Sequence, residues 1–121
     1  MKHAVDGPTS PAPLSPGIIA SGRLVFVSGQ VPVRNGEPIR GDIAAQTEQV
    51  LENVGEVLAA AGATFADVVR CGVYLADLED FPAMNAVYER HFPTPHPTRT
   101  TVGAPLVGGI AVEIDCVAVI E

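Results

Sequence analysis

Three stretches, Leu24–Val27, Val68–Leu75 and Val117–Val119, offer apolar groups at both odd and even positions. Successive side chains of a strand point to opposite faces, so a sheet built from these stretches is apolar on both sides. Only two segments carry a helical period, and two helices can blanket only one face of such a sheet. The sequence therefore predicts an α+β domain, a mixed β-sheet with two helices on one face. Its other face needs a cover, and a second copy of the chain is the simplest one.

Taken in order, residues 1–16 form a Pro-rich N-terminal arm. Pro8, Pro11, Pro13 and Pro16 withdraw backbone donors and favour extended, loosely held chain. Residues 17–121 form the domain. Ile18-Ile19-Ala20 reads as a short strand, and Leu24–Val27 as a clear one ending at Ser28-Gly29. Asn35-Gly36 is a two-residue turn signal between short extended pieces. Asp42 is placed to cap the longest helix, in which Ile43, Thr47, Val50, Val54, Val57 and Ala61 make the buried stripe and Gly62 the stop. Strand Val68–Leu75 should direct Val69, Cys71, Val73 and Leu75 to one face, and Val68, Arg70, Gly72 and Tyr74 to the other. A second helix follows Asp77–Asp80, with Phe81, Met84, Tyr88 and either His91 or Phe92 on its stripe. Prolines 93, 95 and 97 end it, and Ala111–Ile120 is the last strand.

The bulk numbers exclude several function classes. A net charge of -7, from 7 basic and 14 acidic residues, argues against phosphate-backbone binding. With no Trp and six aromatics there is no base-stacking row either, so no nucleic-acid partner is expected. No apolar run reaches the roughly 18 residues of a membrane helix. Nor does the start Met1–Asp6 resemble a secretion signal, so a cytoplasmic location without membrane contact is expected. Cys71 and Cys116 lie in apolar strands and read as small buried hydrophobes. His91 and His96 are isolated and read as helix-end residues, so no metal site is expected.

Against this background Arg99 stands out. One of only seven basic residues, it lies in the β-branched run Pro97-Thr98-Arg99-Thr100-Thr101-Val102. A guanidinium fixed on a strand can grip a carboxylate with two parallel hydrogen bonds. Read locally, it is more readily an edge-strand arginine that keeps the sheet soluble.

Several motifs, in one order, resemble the RidA/YjgF/UK114 family of imine and enamine deaminases. They are Phe26-Val27-Ser28-Gly29-Gln30, Gly41–Thr47 with Asn53, and Asp77–Phe81 with Met84-Asn85 and Tyr88. Pro97–Thr101 and Val112-Glu113-Ile114 complete the set, and the similarity runs from about Leu14 to the C-terminus. The resemblance implies a chorismate-mutase-like fold, a homotrimer with inward-packed sheets, and ligand clefts between subunits. It further implies hydrolysis of small 2-imino acids, or their 2-aminoacrylate tautomer, to 2-keto acids and ammonia, with no cofactor. Arg99 would clamp the substrate carboxylate and Glu113 would position the attacking water. Backbone N–H groups of Gly29 and Thr101 would support the substrate.

Ser28 and Asn85 complete the candidate substrate-binding set. Read locally, Ser28 shapes the turn at Gly29, and Asn85 ties down a neighbouring loop. Strand alternation places Glu113 and Asp115 together, away from the helix-packed core. The chain departs from the family where an aromatic lid often stands: Leu14-Ser15 carries none, and no aromatic precedes Phe26. Thr101 replaces a frequent Cys, and Leu106–Gly109 a usual Leu-Pro turn. The alternative reading is a trimeric small-carboxylate-binding protein with little or no catalysis. The ribonuclease activity attributed to some relatives suits this acidic chain least.

Overall fold

The computed structural model describes residues 1–121. Its main sheet has four strands in the order β3 (Arg23–Gln30), β8 (Val112–Ile120), β6 (Val68–Leu75) and β7 (Thr98–Gly103). Antiparallel pairing joins β8 to both β3 and β6, and β7 runs parallel to β6, making the sheet mixed. Between the strands come α1 (Ile43–Ala60) and α2 (Phe81–His91). Two smaller ladders stand apart: β1 (Lys2–Val5) with β2 (Gly17–Ala20), and β4 (Val33–Arg34) with β5 (Glu37–Pro38).

The expected α+β architecture is present, with both helices on one face of the sheet. Val50, Leu51, Val54 and Leu58 of α1 and Met84 and Tyr88 of α2 share one core with Cys71, Val73, Ile114 and Cys116. Asp42 caps α1 by accepting a hydrogen bond from the Ala45 N–H at 2.9 Å, offsetting an orphan donor of the first turn. The buried stripe is centred on Val50, Val54 and Leu58, while Ala61 lies outside the helix and is exposed.

Three expectations are corrected. The arm is extended but not loose: Lys2–Val5 pairs with Gly17–Ala20, and Pro13 and Ser15 are buried. Ser15 donates its hydroxyl to the His96 carbonyl and its N–H to the Pro97 carbonyl, the latter at 3.1 Å. Second, Val68 lies in the core rather than outward, because a register shift between Val68 and Arg70 inserts an extra residue. Such a bulge flips everything on one side of it to the other face. Third, β3 does not end at Ser28-Gly29 but continues to Gln30 through an irregularity after Val27.

The outer sheet face is apolar, as the strand patterns require. Leu24 is 58% exposed, Phe26 71% and Val102 42%. His91, in the last turn of α2, takes both oxygens of Glu48 on its Nε2 at 3.1 and 3.0 Å, tying the helices together. Gly22 turns the chain from β2 into β3 at φ +137, where an added Cβ would sit 2.5 Å from the Ile120 carbonyl oxygen. Both the backbone conformation and a rigid backbone neighbour oppose a side chain here. Gly22→Ala should therefore cost about 2–3 kcal/mol, read as a lowered urea midpoint at unchanged slope.

Candidate active site

Arg99 is the second residue of β7, at the edge of the sheet, and pairs with Cys71 of β6. Cys71 faces the helices, so Arg99 does as well, and its guanidinium carbon lies 4.8 Å from the centre of the Tyr88 ring and 5.4 Å from that of Phe81. The residue as a whole is half-buried, but Nε, Nη1 and Nη2 are each sealed from solvent and have no hydrogen-bond partner. Burial lowers its pKa. A cation so placed costs several kcal/mol of lost hydration. Two aromatic faces return about 1–2 kcal/mol, which leaves the group short of a counter-charge. Thr101, two residues on and on the same side, has a buried hydroxyl without a partner, as does the Asn85 side-chain oxygen on α2.

Glu113 occupies the opposite face, as alternation along β8 predicts. Its half-buried carboxylate rests over Gly29, so close that a Cβ there would collide with it. The neighbouring Asp115 is committed elsewhere. It accepts from the Tyr74 hydroxyl at 2.8 Å and the Gly72 N–H at 3.2 Å, and pairs with Arg70 at 3.5 Å. The bond to Asp115 holds the Tyr74 hydroxyl above its ordinary pKa. Of the acidic pair, Glu113 is the one without a hydrogen bond or ion pair inside the chain.

Within one chain the predicted residues fall into two groups. Arg99, Thr101 and Asn85 gather between β7 and α2, while Gly29, Ser28 and Glu113 gather on β3 and β8. β3 and β7 are opposite edges of the sheet with two strands between them, roughly 14 Å apart at the usual strand spacing. Nor does the chain hollow out a cleft at Arg99. Its cavity, about 450 Å³, lies between the β4–β5 hairpin and α1 and is bridged by Arg34, Gln49 and Asn53. Two local readings change. Asn85 ties down no loop, since its oxygen is unpartnered. At Ser28 the backbone carbonyl, not the hydroxyl, is engaged, by the Gln30 side chain at 3.1 Å. The aromatic bed under Arg99 was visible in the sequence only as a helix stripe. Its signal is two of just six aromatics seven residues apart on one helix face.

The profile of the family described as endoribonuclease L-PSP matches residues 5–120. A protein of Dermatophagoides farinae named 2-iminobutanoate/2-iminopropanoate deaminase is 36% identical over 125 residues, covering 99% of this chain and 98% of its own. The crystal structure of RidA from a Psychrobacter species superposes with a TM-score of 0.78 at 34% identity, covering 93% of each chain. The chain belongs to the RidA/YjgF family. Another solved relative, E. coli TdcF with bound serine, gives a TM-score of 0.76 at 34% identity over 98% of this chain and 92% of that one. No helix of this RidA-family chain is long and apolar enough to cross a membrane. No three His, Cys, Asp or Glu side chains gather as a metal ion would need.

Proposed function

We propose that this RidA-family protein hydrolyses small 2-imino acids of the 2-aminoacrylate and 2-iminobutyrate type to 2-keto acids and ammonia. It does so as a homotrimer, at clefts between subunits. The observation that carries this reading is the sealed guanidinium of Arg99, which has three nitrogens, two aromatic faces and no acceptor. A small carboxylate supplies the charge and the oxygens that this group lacks, in the two-pronged geometry arginine favours. The relative named as an imine deaminase supports the reaction, and the serine-bound relative is consistent with a small amino-acid-like ligand.

The separation of Arg99 from Glu113 within one chain supports the assembly. A cleft that joins the β7 edge of one copy to the β3–β8 side of the next unites them, and the exposed Leu24, Phe26 and Val102 offer apolar cover for such a contact. In that cleft Arg99 holds the carboxylate, and N–H groups of Gly29 and Thr101 steady the substrate. Glu113 orients a water towards the C=N carbon. The water oxygen bonds to that carbon and its proton passes to nitrogen. The resulting carbinolamine passes its hydroxyl proton to nitrogen as its C–N bond breaks, releasing ammonia and leaving the keto acid. An enamine substrate first takes a proton on carbon and gives one up from nitrogen, which makes it the imine. Imine hydrolysis is intrinsically easy, so orientation is the main contribution required of the protein.

Keto acid release from enzymatically generated 2-aminoacrylate or 2-iminobutyrate tests the proposal. Wild type should exceed the buffer rate, and Glu113→Gln should lose about 10²-fold in kcat while still binding 2-oxobutyrate. If wild type binds the keto acid but adds nothing to the buffer rate, the protein is a small-carboxylate binder. The net charge of -7 disfavours RNA as substrate, and RNA left intact by rigorously purified protein would agree.

A further inference from the structure

We infer that Tyr88 is a positioning residue for Arg99: its ring, not its hydroxyl, sets the plane in which the guanidinium meets a carboxylate. The inference rests on the proposed reading of Arg99. Arg99 is anchored at its backbone by β7, but its long side chain has no hydrogen bond to fix its outer end. What touches that end is aromatic. The Tyr88 ring is the nearer of the two, and Tyr88 is fully buried. Its position is over-determined from behind. Tyr88 stacks on Phe92 at 4.3 Å between centroids, Phe92 meets Phe65 edge-on at 5.0 Å, and Phe65 abuts His91 at 5.4 Å. His91 in turn is held by Glu48 of α1.

A rigid chain of rings thus ends at a planar cation. The rings lie against the guanidinium, and its N–H groups, covered within one chain, are the part an anion would have to reach. The Tyr88 hydroxyl is buried and its polar neighbour is the Cys71 thiol, not Arg99, so it contributes no hydrogen bond to the guanidinium. That separates the ring from the hydroxyl as the working part. Preorganising a flexible arginine in this way removes an ordering cost that each binding event would otherwise meet.

The test compares Tyr88→Phe, Tyr88→Leu and, as a control for lost core packing elsewhere, Leu58→Ala. Two readouts are used: 2-oxobutyrate affinity with the KM and kcat of keto acid release, and the Arg99 Nε–Hε resonance. In wild type that resonance should be displaced upfield by the ring beneath it. Tyr88→Phe should keep both the displacement and an affinity within about twofold of wild type. Tyr88→Leu should lose the displacement and raise KM about tenfold, with a smaller change in kcat. Leu58→Ala should lower stability and leave KM near wild type. An undisplaced Arg99 resonance in wild type overturns the inference without any variant, even if Tyr88→Leu fails to fold. So does a Tyr88→Phe variant as impaired as Tyr88→Leu. Failure of wild type to bind 2-oxobutyrate sinks the proposed function instead, and the resonance still decides the role of Tyr88.

Discussion

Arg99→Met is expected to cut keto acid release by about 10²–10³-fold and, at the same time, to raise Tm. The two effects have one cause. The guanidinium is sealed against Tyr88 and Phe81 with no acceptor, so the fold carries a desolvated charge that nothing within the chain satisfies. Methionine fills similar space without the charge. Its gain over a buried ion, set against about 1–2 kcal/mol of lost cation–π attraction, leaves roughly 1 kcal/mol of net stabilisation. In a chain of this size that is about 3–6 °C. Calorimetry and the keto acid assay on the same preparation check both halves. An Arg99→Met protein that is inactive and also markedly less stable would show that Arg99 holds the core together rather than awaiting an anion.

The second large effect is alkaline. Cys71 and Cys116 face each other across β6 and β8 in the buried layer, and burial pushes both thiols up to about 12 from an ordinary value near 9.0. Burial raises the Tyr88 hydroxyl too. An acid whose pKa is higher folded than unfolded binds more protons in the folded state. Its stabilising contribution is therefore complete below the unfolded value and is lost as pH climbs towards the folded one. Each thiol should remove about 1.4 kcal/mol per pH unit above 9, and the pair roughly 3 kcal/mol. Two pH units then consume ~6 kcal/mol, comparable with the whole stability of many domains. Urea titrations from pH 8 to 11 should show the midpoint fall steeply above pH 9, and Cys116→Ala should halve the slope between about pH 9 and 10, below the range in which Tyr88 also contributes. A midpoint flat to pH 10.5 would mean that the thiols do not report burial in this way.

Much of this was legible before the fold was known, and what was missed has physical reasons. Helix α1 announced itself through Asp42, a sustained apolar period and Gly62, features whose signals lie within a few residues of one another. The turn at Asn35-Gly36 was equally local, and both residues adopt positive φ, 52 and 79. Val68 was assigned to the wrong face because a bulge leaves no mark in a run of β-branched residues. The arm was read through its prolines, and four residues at Lys2–Val5 are too few to declare a strand whose partner lies fifteen positions away. The β-branched run around Arg99 does encode a strand. The face of Arg99 was not readable, since Thr98, Thr100 and Val102 on one side are hardly more or less apolar than Thr101 on the other. Only the packing of α2 decides that question. The site residues follow from the resemblance, and their division between the β7–α2 side and the β3–β8 side is a property of topology that no local pattern encodes.

That division bears on how such a protein can be regulated. Under the proposed assembly, no single polypeptide is a catalyst. Each would lend an arginine to one cleft and a glutamate to another, so dilution that parts the copies would silence the chemistry. Expression level then acts as a switch as well as a supply.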